Sequence, residues 1–257
     1  MASLCAEEDD NPAVINGEVY YIRSTPKAGT HLLRKALYLM SGSAINVTHL
    51  RRPNMIEKAK RHKTVLQIRD PRDIFISLIE HIDKAILAET REVNPIRDPM
   101  IIKRWLFPYW LSLSFEEKLT LLLLERENKI PFRSERLRSN CEKATELLQM
   151  QESQPFIIRF EDLIGSQGGG SRERQEKTLQ NLAAFLNIPL SSVHLQYVAD
   201  NLWGLSDPAR RIPLEKTFHQ GRIGRWKEKF TAEQCKIFKS KWNQYLVAWG
   251  YETSEEW

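Results

Sequence analysis

Two stretches of this chain combine residue types that together grip anions. The first is Ser24-Thr25-Pro26-Lys27-Ala28-Gly29-Thr30-His31, directly after the β-rich run Glu18–Ser24 (EVYYIRS). Gly29 admits dihedrals closed to other residues, and amides at a helix start point outward with partial positive charge. Lys27 adds a point charge, and Thr30 and His31 add side-chain donors. The Walker pattern G-x-x-x-x-G-K-[ST] is absent. The second stretch runs from Arg69, at the end of TVLQIR, to Ser77, eight residues on. A guanidinium at a strand end and a hydroxyl beside a helix start can hold a second phosphate. Asp73 lies one helical turn before Ser77, so an Arg69–Asp73 pair that merely stiffens the turn is the competing use. His49, in Val47-Thr48-His49-Leu50, brings acid–base capacity, since a neutral imidazole is the usual general base near pH 7.

The elements that must position these residues follow from periodicity and capping. Thr30–Met40 carries Leu33, Ala36, Leu37 and Met40 on one helical face. Ala44–Val47 reads as a second strand, Asn54–His62 as a helix and Thr64–Arg69 as a third strand. Asp70 can cap, Pro71 suits the first helical position and Asp73 the first turn, so a helix runs from there towards Ala88. Ser114-Phe115-Glu116-Glu117 and Thr231-Ala232-Glu233-Gln234 are capping boxes, the first ahead of Leu119–Leu124 and the second opening Thr231–Ala248. Pro155–Phe160 reads as a buried strand, Gly168–Gly170 as a flexible surface loop and Arg172–Leu186 as a helix. Strand–loop–helix units in this order imply a single α/β domain with a central parallel β-sheet flanked by helices, a P-loop-like nucleotide-binding architecture.

The bulk properties narrow the class. The 257 residues are 42% hydrophobic, enough for one large core, and the net charge of +5 favours anionic ligands without choosing among them. Glu7, Glu8, Asp9 and Asp10 mark residues 1–15 as a mobile acidic leader to a domain spanning 16–252. Cys5, Cys141 and Cys235 form no C-x-x-C pair, so neither a zinc site nor a disulfide framework is expected. The chain opens without a secretory signal, and no apolar run nears the ~18 residues that span a bilayer. A soluble, cytoplasmic protein is the expectation.

In order and spacing, STPKAGTHL and RDPRDIFIS resemble the two nucleotide-binding stretches of the sulfotransferases that use 3′-phosphoadenosine-5′-phosphosulfate (PAPS). The resemblance implies that Lys27, Ala28, Gly29, Thr30 and His31 hold the 5′-phosphosulfate, and that Arg69 and Ser77 hold the 3′-phosphate. Phe160-Glu161-Asp162-Leu163 is similar to the family's Y/F-E-D-L/M. Gly221-Arg222-Ile223-Gly224-Arg225-Trp226-Lys227, with Phe230-Thr231 after it, resembles the late segment that closes over the 3′-phosphate and adds Gly221 and Arg222 to the site. Trp203 stands where an aromatic ring packs on the adenine. Trp226 is assigned to core packing. The match covers residues 18–85 and 155–250. Departures are Val47 for a lysine beside the histidine, Leu32 for a tryptophan, His219-Gln220 for Arg-Lys, and Arg225 for an acidic residue.

The implied reaction is in-line sulfuryl transfer from PAPS to a small hydroxylated acceptor (phenol, alcohol or saccharide), leaving 3′,5′-diphosphoadenosine. Val47-Thr48-His49-Leu50 resembles the family's K-T-H-L-P, which makes His49 the base ahead of His31, Glu80, His81 and His219. Lys27 stabilises the leaving phosphate. No metal and no nucleic acid are implied. Peptide tyrosine as acceptor and a homo-oligomer stay open, and membrane association is not expected. Residues 86–150 match nothing in the family and are assigned to the acceptor side. Within them Asn94–Leu113, with Trp105, Phe107, Tyr109 and Trp110, suits a lid or pocket, a helical pair with a buried face, or a membrane contact through Ile101–Leu113. Rival readings are a nucleotide kinase of related fold and a sulfotransferase-like binder without turnover.

Overall fold

The computed structural model describes residues 12–50, 55–91, 103–132, 135–151, 154–204 and 221–257. In chain order, β1 (Ala13–Ile15), β2 (Glu18–Ser24), α1 (Thr30–Ser41), β3 (Thr48–His49), α2 (Met55–Arg61), β4 (Lys63–Ile68) and α3 (Pro71–Arg91) form the first half. Then follow α4 (Phe107–Ser112), α5 (Phe115–Leu123), α6 (Glu135–Leu148), β5 (Phe156–Arg159), α7 (Phe160–Leu163), α8 (Arg172–Phe185), α9 (Ser192–Asn201), α10 (Trp226–Lys229) and α11 (Ala232–Ala248).

The sheet runs β1-β2-β4-β5, with β3 on the same edge of β2 as β1 but further along it. β2, β3, β4 and β5 are parallel to one another, and β1 is antiparallel to β2. Period-two alternation sends Tyr20, Ile22, Val65 and Ile158 into one core with α1, α8 and α9. Leu66 and Ile68 enter a second core with α3, α5, α6 and α11. The result is three layers, helix–sheet–helix. Because β2 feeds α1 on one face and its neighbour β4 feeds α3 on the other, a crevice opens at the carboxyl ends of these two strands. Ligands of open α/β sheets bind in such crevices.

Both capping boxes form as expected, Ser114 with Glu117 and Thr231 with Gln234. Other expectations give way. Ala13–Ile15, placed in a mobile leader, pairs with β2 and buries Ala13 and Ile15; residues 1–11 lie outside the described residues. The strand expected at Ala44–Val47 begins only at Thr48, because the Val47 carbonyl accepts from Arg34 Nη2 (2.5 Å). β5 is only half-buried, since β4 is its one partner among the described strands, and Phe160 already belongs to α7. Phe107 and Trp110 join the core, with the Trp110 indole donating to Asp83, while Trp105 is 74% exposed. The residues before 103 in that stretch lie outside the described residues.

Candidate functional site

The first loop is built by backbone geometry. Lys27 (φ +60°) and Gly29 (φ +88°) are both left-handed, a turn conformation of the kind that can gather N–H groups into a concavity suited to an anion. Gly29 caps α1 without a side-chain hydrogen bond. Ala28 is fully buried and its N–H closes the loop on the Thr25 carbonyl (3.2 Å), while Thr25 N–H bonds the Gln67 carbonyl (3.0 Å). Beneath the loop, Thr30 Oγ1 donates to Ser24 Oγ (3.1 Å). His31 is half-buried in the first turn of α1.

His49 ends β3, in register with Ser24. Its Nδ1 lies 3.1 Å from the Ser24 carbonyl. A carbonyl can only accept, so Nδ1 carries the proton and Nε2 is the basic nitrogen, the tautomer a general base requires. Val47, which stands in place of a lysine, is fully buried in the α1-side core.

Arg69 joins this loop to a segment more than 150 residues away. Its Nη1 donates to the Lys27 carbonyl (3.2 Å) and its Nη2 to the Arg222 carbonyl (2.9 Å). The guanidinium lies over the Phe160 ring at 4.3 Å. Asp73 is 3.8 Å from Arg69, longer than the bonds its carboxylate accepts from Gly224 N–H (2.7 Å) and Trp226 N–H (3.0 Å). Burial pushes the Asp73 carboxyl above its ordinary range, with Arg69 and these two N–H groups pulling back. Glu80, two turns on, pairs with both terminal nitrogens of Arg225, so the basic replacement in the late segment is neutralised from α3. Ser77 lies on the same helical face, between these two anchors. Trp226, assigned to core packing, is only partly buried and stacks on Arg72 instead (3.8 Å).

The other wall forms at Gly168. Far from being a flexible surface loop, this turn is packed: a Cβ on Gly168 would lie 2.6 Å from the Gly221 carbonyl and 2.9 Å from the Trp203 ring. Ile223 N–H bonds the Gly168 carbonyl (3.1 Å), and the Trp203 carbonyl accepts from Lys35 Nζ (3.1 Å). Lys27, Arg69 and Arg222 are thus linked by hydrogen bonds, Gly221 and Trp203 both pack around Gly168, and His49 and Thr30 are both bonded to Ser24. His219 and Gln220 lie outside the described residues.

Several members of the site escaped the sequence reading. Gln67 is fully buried on the α1 side of β4; its Oε1 lies 3.4 Å from Ser24 Oγ, and its Nε2 has no hydrogen-bond partner among the described residues. The signal was available: Val65 and Gln67 share a face, so Gln67 puts an amide where the alternation calls for an apolar side chain, beside a glycine loop. Phe160 and Gly168 carried no signal beyond their motif and composition. Glu161 bonds Asp70 N–H (2.9 Å) and the Tyr251 hydroxyl (2.7 Å); burial raises its carboxyl and pushes the Tyr251 phenol well above its ordinary value. Among the described residues no cluster of side chains could hold a metal ion, and no helix is long and apolar enough to cross a membrane.

No family model matches the sequence, and neither does any curated protein. Solved structures do match. Mouse sulfotransferase SULT7A1, crystallised with PAP, aligns over 98% of this chain and 90% of its own at 16% identity, with a TM-score of 0.57. Retinol dehydratase, crystallised with androsterone and the inactive cofactor PAP, aligns over 88% and 80% at 12% identity, with a TM-score of 0.53. At such identities the likeness establishes the fold: this chain has the architecture of the cytosolic-type sulfotransferases.

Proposed function

We propose that this chain is a PAPS-dependent sulfotransferase acting on a small hydroxylated acceptor, with residues 16–252 as its catalytic unit and residues 86–150 on the acceptor side. The observation that carries the reading is the Arg69 clasp, which ties the loop expected to hold the 5′ end to the segment expected to close the 3′ end. Two buried donors support an anionic nucleotide there. Neither Arg69 Nε nor Gln67 Nε2 has a hydrogen-bond partner among the described residues, and leaving such groups unsatisfied costs about 1–3 kcal/mol each.

PAPS, when bound, supplies the sulfuryl group and a 5′-phosphate leaving group. Lys27, the α1 amides and Thr30 would hold that 5′ end, and Arg69 with Ser77, Gly221 and Arg222 the 3′-phosphate. Trp203 offers its ring to the adenine. His49 takes the acceptor hydroxyl's proton on Nε2, its ring held by the Ser24 carbonyl. Lys27 and the positive end of α1 stabilise charge on the departing oxygen, the larger part of catalysis in transfers of this kind. No metal has a role in this scheme, and the setting is taken to be cytoplasmic.

Calorimetric titration with adenosine 3′,5′-bisphosphate and ATP, in parallel, tests it. Tighter binding of the bisphosphate is expected, together with sulfate transfer to a phenol or alcohol panel. Preference for ATP would favour a kinase and defeat the proposal; bisphosphate binding without transfer would reduce it to a nucleotide-binding role.

A further inference from the structure

We propose that Arg72 and Trp257 form a latch that sets the position of the 221–226 segment, and through it the affinity for the nucleotide's 3′-phosphate. The inference rests on the donor-site reading above. Arg72 occupies the first turn of α3 and is almost fully buried. Its guanidinium sits 3.8 Å from the centre of the Trp226 ring and 4.5 Å from that of Trp257, and the two indoles meet edge to face at 5.3 Å. The cation is oriented in this aromatic wedge by Asp70, which accepts from Nη2 (2.8 Å) and Nε (3.0 Å). Glu252 adds an ion pair 2.7 Å from Nη1, short of an aligned hydrogen bond. A desolvated guanidinium on an indole face is strongly held.

The wedge lies on the path between the last residues and the 3′ wall. On one side, Trp226 is bonded through its N–H to Asp73, which also holds Gly224. On the other, Trp257 is fixed by its indole N–H to Asn243 Oδ1 (2.7 Å) and lies under Lys239. Tyr251 reaches the same turn through Glu161, whose other oxygen accepts Asp70 N–H. Residues 251–257 therefore meet the Asp70–Asp73 turn at Tyr251, Glu252 and Trp257. That turn hangs the late segment, whereas the first loop rests on Gln67, Ser24 and Phe160. Loosening the wedge should weaken the 3′ grip and spare the 5′ grip.

The test is a titration of the full chain, as wild type, Trp257→Ala and Trp257→Phe, with adenosine 3′,5′-bisphosphate and with adenosine 5′-monophosphate. Trp257→Ala should weaken the bisphosphate about tenfold, the order expected for one lost cation–π contact, and change the monophosphate by less than about twofold. Trp257→Phe, which keeps an aromatic face, should recover most of the loss. Glu252→Gln gives a second perturbation of Arg72 should Trp257→Ala fail to fold, with the same selective weakening expected. If the wild type prefers the bisphosphate but the variants weaken both ligands equally, or neither, the latch is overturned and the donor site stands. If the wild type shows no preference, the donor-site reading fails and the latch with it.

Discussion

Gly29→Ala concentrates the physics of the first loop in one methyl group. At φ +88° an alanine is strained by about 1–2 kcal/mol. Its Cβ would also lie 2.5 Å from Phe160 Cδ2 and 2.9 Å from Cε2, a contact that forces the ring to move. Phe160 is 4% exposed, and such overpacking costs about 1–3 kcal/mol. The sum, about 2–5 kcal/mol, is a large share of the ~5–15 kcal/mol that holds a domain together. It corresponds to a fall in Tm of about 4–20 °C for a chain of this size. Because Arg69 stacks on the same ring, bisphosphate affinity should fall as well. Thermal and denaturant melts of wild type, Gly29→Ala, Phe160→Ala and the double variant separate the contributions. The steric part should vanish in the Phe160→Ala background, giving a coupling of about 1–3 kcal/mol, while the dihedral part persists. A coupling near zero would refute the account, since Gly29 would then be tolerated for its dihedral alone.

Two further outcomes are expected. His49→Ala should lower kcat by about 10²–10⁴-fold while leaving bisphosphate affinity within about twofold; unchanged turnover would remove His49 as the base. Glu161, raised above its ordinary 4.5 by burial, contributes stability that is fully present below that value and is lost as pH rises through its higher folded value. The fall in Tm with pH above about 4.5 should therefore be shallower in Glu161→Gln, and an identical slope in the variant would assign the dependence elsewhere.

The parts of the molecule legible in the sequence are those set by local rules. Glu18–Ser24 is a compact β-rich run that stops at a proline loop, Asp70-Pro71 opens a helix, and Ser114 and Thr231 carry capping boxes; each requires only neighbours in sequence. The misses are tertiary. A glycine triplet reads as flexible until Ile164, Trp203 and Gly221 are packed against Gly168. A three-residue strand at 13–15 becomes ordered only by docking on β2. Arg225 reads as a lost acidic residue until Glu80 supplies the missing carboxylate from 145 residues away.

The pair Arg69–Asp73 shows how distances decide what residue types leave open. Four residues apart at a helix start, an arginine and an aspartate could pair with each other and do nothing more. Here their direct separation is 3.8 Å, and the shorter contacts lead outward: Arg69 to the carbonyls of Lys27 and Arg222, Asp73 to the N–H groups of Gly224 and Trp226. The cation collects carbonyls and the carboxylate collects amides, so both charges are spent on drawing residues 222–226 over the crevice. A pair engaged only with itself would leave that segment to find its place by side-chain packing alone. Hydrogen bonds to charged groups contribute about 1.5–3 kcal/mol each, so the three that reach Arg222, Gly224 and Trp226 can together order the late segment before any nucleotide arrives. On the proposed function the segment covering the crevice is already in place, so a nucleotide would not first have to recruit it.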